Sequence, residues 1–157
     1  MSLITTPLIQ LIIPEGDLQP SVQSELIEHY NIKVSVSLAE YLTSTEHENA
    51  ALIICAQAVL GNKEEEVLAT IKASSPNSRI LIIGLGCASS GQVILLKYGA
   101  RGYFDTSVSL GKLKEAVQCI LHGEVWIERH VISGLKSFIV VRIDFIHSWI
   151  PNNHPSF

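Results

Sequence analysis

Short runs of β-branched and other apolar residues recur along the chain at intervals wide enough to hold a helix: Leu8 to Ile13, Ile32 to Val36, Ala51 to Cys55, Arg79 to Ile83 and Gly102 to Phe104. Each reads as a strand. The stretches between them carry helical spacing instead. Leu18, Val22, Leu26 and Tyr30 mark the first, and Leu38 to Leu42 form a short second. Val67, Leu68 and Ile71 share one face of the third, Val93, Leu96 and Lys97 mark the fourth, and Leu110, Leu113, Val117, Ile120 and Leu121 the fifth. Strand and helix alternate five times, which predicts parallel strands joined by helical crossovers, with helices on both faces. Runs such as LIIC and ILIIG agree, because strands buried on both sides need no polar face. The expected architecture is α/β: a doubly wound five-stranded parallel sheet of order 2-1-3-4-5. Its functional edge should lie at the carboxyl ends of the strands, at the switch between strands 1 and 3.

After Gly123 the rhythm breaks. The run Val125-Trp126-Ile127 is followed by a helix-compatible stretch from about Glu128, and then by FIVVRIDFIHSWI. In that segment Val141, Ile143 and Phe145 alternate with Arg142 and Asp144 as in a strand, while Ile139, Ile143, Ile146 and Ile150 recur as in an amphipathic helix. The helical reading is preferred, with Pro151 as its stop. Residues 1–123 are thus expected to form the domain, and residues 124–157 an extra C-terminal segment serving as linker or dimerisation element. No internal repeat or low-complexity tract appears.

With 47% apolar residues in 157, one packed domain can form and a disordered chain is excluded. The formal net charge of −4 provides no global basic field, so nucleic-acid binding by this chain is not expected. Cys55, Cys87 and Cys119 are odd in number and embedded in apolar sequence, which argues against a disulfide framework and for a reducing, cytoplasmic setting. No apolar stretch reaches the length of a membrane span, and MSLITTPLIQLII has no basic residue ahead of its apolar run.

Candidate chemistry is sparse. The six histidines form no H-x-x-x-H pair, no C-x-x-C exists, and neither G-x-S-x-G nor a Walker loop is present. Cys55 ends a central strand at the edge where such sheets do chemistry, a place for a reactive thiol, though a small buried hydrophobe is the commoner occupant. The turn Gly84-Leu85-Gly86-Cys87-Ala88-Ser89 approximates G-x-G-x-x-G, with Asp105 at the end of the next strand where a ribose-binding carboxylate would sit. A structural turn is the simpler reading of it. Lys63-Glu64-Glu65-Glu66 suits the first turn of a helix, whose dipole favours acidic groups.

The segments SPNSRILIIG, LLKYGARGYFD and LGKLKEAVQCILHGEVWIERHVISGL resemble the receiver (CheY-like, flavodoxin-like) domains of bacterial response regulators, especially those joined to LuxR/NarL-type DNA-binding domains. The likeness covers about half the chain, from Leu52 to Gly134, while the first fifty residues match in layout only. It implies phosphoryl transfer to an Asp ending the third strand, with Mg²⁺ held by an acidic pair after the first. A Ser or Thr after the fourth strand and a Lys after the fifth contact the phosphoryl group. Carried over by position, the acceptor falls on Cys55, the hydroxyl on Gly84 and the lysine on Thr106, so all three chemical groups are missing. Of the acidic pair, Glu15 alone could face a metal, and Asp17 is better placed to cap the first helix.

The resemblance therefore implies a degenerate pseudo-receiver, with no cofactor, no resident metal and no enzymatic activity. Tyr103 occupies the switch-aromatic position, and with Gly84 in place of the hydroxyl nothing in the sequence draws it inward. The face made by helix 4, strand 5 and helix 5 then becomes a constitutive interaction surface, or one controlled by another ligand. One LuxR-type branch binds cyclic di-GMP through W-[FLM]-[ST]-R; here Trp126-Ile127-Glu128-Arg129 keeps Trp126 and Arg129 but sets a negative charge at Glu128. The DNA-binding module that follows such receivers is not expected within these residues. The leading reading is a regulatory domain acting by protein contacts, as a homodimer, independently of Asp phosphorylation. The alternative is a small nucleotide-binding protein using the Gly84–Gly86 turn or the Trp126–Arg129 motif.

Overall fold

The computed structural model describes residues 6–44, 49–107, 110–130 and 136–142, with backbone alone for 129, 130 and 136–142. The strands are β1 (Leu8–Ile12), β2 (Asn31–Ser35), β3 (Leu52–Ala56), β4 (Arg79–Gly84), β5 (Gly102–Asp105), β6 (Glu124–His130) and β7 (Lys136–Arg142). They form one sheet of order β2-β1-β3-β4-β5-β6-β7. The first six run parallel and β7 lies antiparallel to β6. The helices are α1 (Leu18–Leu26), α2 (Leu38–Thr43), α3 (Gln57–Leu60), α4 (Glu64–Ser74), α5 (Ser89–Lys97) and α6 (Leu113–Leu121).

Strand residues alternate between the two faces, and each face has its own helices. Ile9, Leu11, Leu52, Ile54, Leu81, Ile83 and Phe104 meet Val22 and Leu26 of α1 and Leu113, Val117 and Ile120 of α6. Ile12, Ile53, Cys55, Ile80, Ile82 and Tyr103 meet Tyr41 of α2, Leu60 of α3, Leu68 and Ile71 of α4 and Leu95 of α5. Each such side chain contributes about 1.5–3 kcal/mol on leaving water, so the apolar strand runs determine the layering. Local signals fix the ends. Ser37 caps α2 by accepting from the Glu40 amide at 3.1 Å, and Glu40 reaches back to accept from the Val36 amide at 2.8 Å. Three glutamates fill the first turn of α4, as their sequence position implies. Asp17 stands at the N-cap of α1 but makes no side-chain capping bond there.

Two expectations are corrected. The sheet has seven strands rather than five, because β6 pairs along β5 through Gly102 and Trp126 and β7 folds back on β6. The stretch from Glu128 is strand through His130, and Lys136–Arg142 is strand rather than helix. The reason is burial on both sides. Val125, Trp126, Ile127 and Glu128 are all buried, Val93 and Leu96 of α5 pack against Val125 and Ile127, and Trp126 joins the α6 face. A strand covered on both faces loses its polar alternation, and the polar Glu128 then resembles a helix start. Residues 143–157, where much of the expected helix falls, lie outside the described residues.

Candidate functional site at the carboxyl edge of the sheet

The parallel strands bring Cys55, Ala56, Ile83, Gly84 and Thr106 to one edge, since β3, β4 and β5 are in register there. A cavity of about 430 Å³ opens at this edge, lined by Leu18, Ala56, Gln57, Ala58, Gly61, Ile83, Gly84, Leu85 and Thr106. None of these side chains carries a charge.

Cys55 is fully buried beneath the edge, its thiol directed at the Ala56 carbonyl at 3.6 Å. Burial pushes this thiol up to about 12, so it stays protonated at neutral pH and serves as a core residue rather than a nucleophile. Thr106 turns back to Gly84, donating from its amide at 2.7 Å and its hydroxyl at 3.1 Å to the Gly84 carbonyl.

Tyr103 is buried, and its hydroxyl donates to Oε1 of Gln57 at 3.0 Å. The expectation that nothing draws it inward is thereby corrected: the amide of Gln57, on the short helix α3, takes that part. Gly84 makes the arrangement possible. A Cβ on residue 84 would stand 2.3 Å from Oε1 of Gln57, 2.8 Å from its Cβ and 2.9 Å from the Tyr103 hydroxyl. Absence of a side chain at 84 and presence of an amide at 57 are thus one feature. Burial raises the Tyr103 phenol well above the ordinary tyrosine range, so it remains a neutral donor. Gln57 escaped the sequence reading; the available signal was a polar residue two places beyond a fully apolar strand.

Glu15 and Asp17 are both exposed. Among the described residues no three His, Cys, Asp or Glu side chains come together in a way that could hold a metal ion. The pair expected for the alternative reading is brought together, Gly84 standing in register with Asp105 on β4 and β5, but the Asp105 carboxylate is engaged locally. Oδ1 of Asp105 accepts from the amide and hydroxyl of Ser107 at 2.8 and 2.7 Å, and the Asp105 amide donates to Oε2 of Glu128. The Asp105 carboxylate therefore orders its own turn. Trp126 is fully buried, and the Arg129 side chain lies outside the described residues.

No protein-family model matches the sequence, and no curated protein matches it. Solved structures do. A response regulator from Thermotoga maritima superposes with a TM-score of 0.67 at 18% identity, over 75% of this chain and 99% of its own. A LuxR-family two-component response regulator from Aurantimonas gives 0.65 at 21% identity, over 76% and 87%. The isolated receiver domain of RcsB from Salmonella enterica gives 0.66 at 11% identity, over 78% and 94%. This is the receiver fold.

In that fold the carboxyl edge is where a resident Mg²⁺ and the phosphoryl group would sit, and the residues present do not fit them. The cavity lining offers no carboxylate and no cation, and the strand-end position holds a buried neutral thiol. The face expected to be open is also changed. Counted with the extra short helix α3, it comprises α5, β5 and α6, and β6 occupies the free edge of β5 between the two helices. Gly102 is required for this closure, because a Cβ there would lie 2.6 Å from the Trp126 carbonyl oxygen.

Proposed function

We propose that this chain is a pseudo-receiver: a non-catalytic regulatory domain of LuxR type that signals in transcriptional regulation through protein contacts, without Asp phosphorylation. The observation that carries the reading is the uncharged cavity at the carboxyl edge, with Tyr103 held inward by Gln57 rather than by a phosphate-linked hydroxyl. A receiver toggles because its aromatic has two competing positions. Here the second position has no group to favour it, so the domain keeps one conformation. Among the described residues no helix is long and apolar enough to cross a membrane, and the proposed setting is cytoplasmic.

The protein is incubated with acetyl phosphate and Mg²⁺ and its intact mass recorded. No hydroxylamine-sensitive gain of one phosphoryl group is expected; its appearance would overturn the reading. The proposed homodimer is tested by truncating after Arg142, which keeps β7 on β6. Solution mass should fall from dimer to monomer, and a dimer that survives places its interface on the described domain.

A further inference from the structure

The cavity at the carboxyl edge takes its lining from the sheet and from the helices on both of its faces. Leu18 comes from the start of α1, Ile83 from β4, and Gln57 and Ala58 from α3. The groove between Pro20 and Ile27, by contrast, is built on α1 and its end alone. Leu85, on the loop after β4, is 71% exposed, more than any other large apolar side chain among the described residues. Two polar side chains complete the wall. Gln57 accepts from Tyr103 through Oε1, and of the two N–H groups on its amide nitrogen the Cys87 thiol takes one. Thr106 spends its hydroxyl proton on the Gly84 carbonyl at 3.1 Å, which leaves the lone pairs of Oγ1 to accept.

We propose that this cavity binds one small neutral molecule of the amide or lactam class, an apolar body that carries a carbonyl and an N–H. Its volume of about 430 Å³ falls within the range of small-molecule sites, roughly 300–1,000 Å³. An ionised ligand would lose its hydration here and meet no opposite charge, because no lining side chain carries one. Leu18, Ile83 and Leu85 match an apolar body. The remaining Gln57 N–H suits a ligand carbonyl, and Oγ1 of Thr106 suits a ligand N–H. The inference rests on the pseudo-receiver reading of this edge and names what such an edge can take in place of phosphate. Because Gln57 also holds the Tyr103 hydroxyl, a molecule bound to it joins the unit that keeps Tyr103 inward.

The test titrates the full chain with benzamide by amide chemical-shift mapping, with benzoate and toluene as the matching anion and hydrocarbon. Saturable shifts centred on Ala58, Leu85 and Thr106 are expected with benzamide, and binding about tenfold weaker with benzoate. Thr106→Val should weaken benzamide about threefold and leave toluene unchanged, which a merely structural role for the hydroxyl would not do. Ala58→Trp, a substitution at an exposed position on the cavity wall, should abolish binding while the melting temperature stays level. No saturable shift at the solubility limit of benzamide, or undiminished binding by Ala58→Trp, overturns the site. Benzoate or toluene binding as tightly as benzamide overturns the ligand class. The two readings fail separately: a phosphoryl gain from acetyl phosphate overturns the pseudo-receiver, whereas a chain that takes neither phosphoryl group nor benzamide overturns this site alone.

Discussion

The two edges of one sheet have been given opposite characters. At the carboxyl edge the cavity is lined by uncharged residues, with Tyr103 bonded to Gln57 and Thr106 to the Gly84 carbonyl. At the amino edge Arg79 and Arg101 stand at strand starts, and Lys72 and Arg79 bond the backbone carbonyls of Ser78 and Leu121. A parallel sheet brings all strand ends of one kind to the same edge, so a few residues there set its chemistry while the apolar interior stays the same. Fold and chemistry are therefore separable in this molecule, and substitutions at the two edges should behave differently.

The largest effect is expected where the carboxyl edge is tightest. Gly84→Thr, which restores the hydroxyl implied by the family resemblance, forces a Cβ into Gln57 and Tyr103 and should cost about 1–3 kcal/mol in chemical denaturation. Adding Gln57→Ala should recover most of that loss. If Gly84→Thr alone is neutral, the close packing described for this edge is wrong.

Alkaline pH probes the same edge through Cys55. Its folded pKa of about 12 lies above the ordinary 9.0, so the stability it lends is complete below pH 9.0 and is lost as pH rises toward 12. The slope above pH 9.0 should be about 1.4 kcal/mol per pH unit. Cys55→Ala should flatten the profile just above pH 9.0, before the tyrosines contribute; an unchanged slope would mean the thiol is not buried. Tyr103→Phe removes the hydrogen bond to Gln57 and should cost about 1 kcal/mol, since the amide faces the cavity and water can replace the phenol. No loss at all would return Tyr103 to control by packing alone.

The amino edge should respond least and with opposite sign. Lys72→Gln relieves repulsion from Arg79 and Arg101 and should raise stability by a few tenths of a kcal/mol (~0.3) at low salt, with the gain vanishing as salt increases. Destabilisation instead would show that its bond to the Ser78 carbonyl matters more than the repulsion.

The sequence carried the interior plainly. LIQLI, LIICA and RILIIG are β1, β3 and β4, and their parallel order followed from the helices between them. The outer part was harder for a physical reason. In β6, Glu128 is a charged residue at a buried position, where its backbone amide is taken by Gln92 at 2.8 Å and its carboxylate by the Asp105 amide. No periodicity rule anticipates a core glutamate. The isoleucine spacing from residue 139 onward fits a helix as well as a strand, and tertiary pairing with β6 decided its first part. At the site, the sequence placed Cys55 and Gly84 at strand ends and Thr106 just beyond β5, and the register of β3, β4 and β5 brings them to one edge. The partner of Tyr103 was not, because Gln57 matters only in combination with a glycine 27 positions later.

The pairing of β6 with β5 bears on how the protein is made. From β3 onward each parallel strand is laid beside the one synthesised before it, through a helix that follows directly in the chain. On the ribosome the sheet can thus grow outward from β3 in the order of translation, with no later strand inserted between earlier ones. Each parallel addition must close a loop before its contacts form, whereas β7 joins by a local antiparallel hairpin, the fastest sheet contact to make. The growing edge therefore waits longest for its next strand at β3, less long at β4 and β5, and least at β6, which β7 covers soon after it emerges.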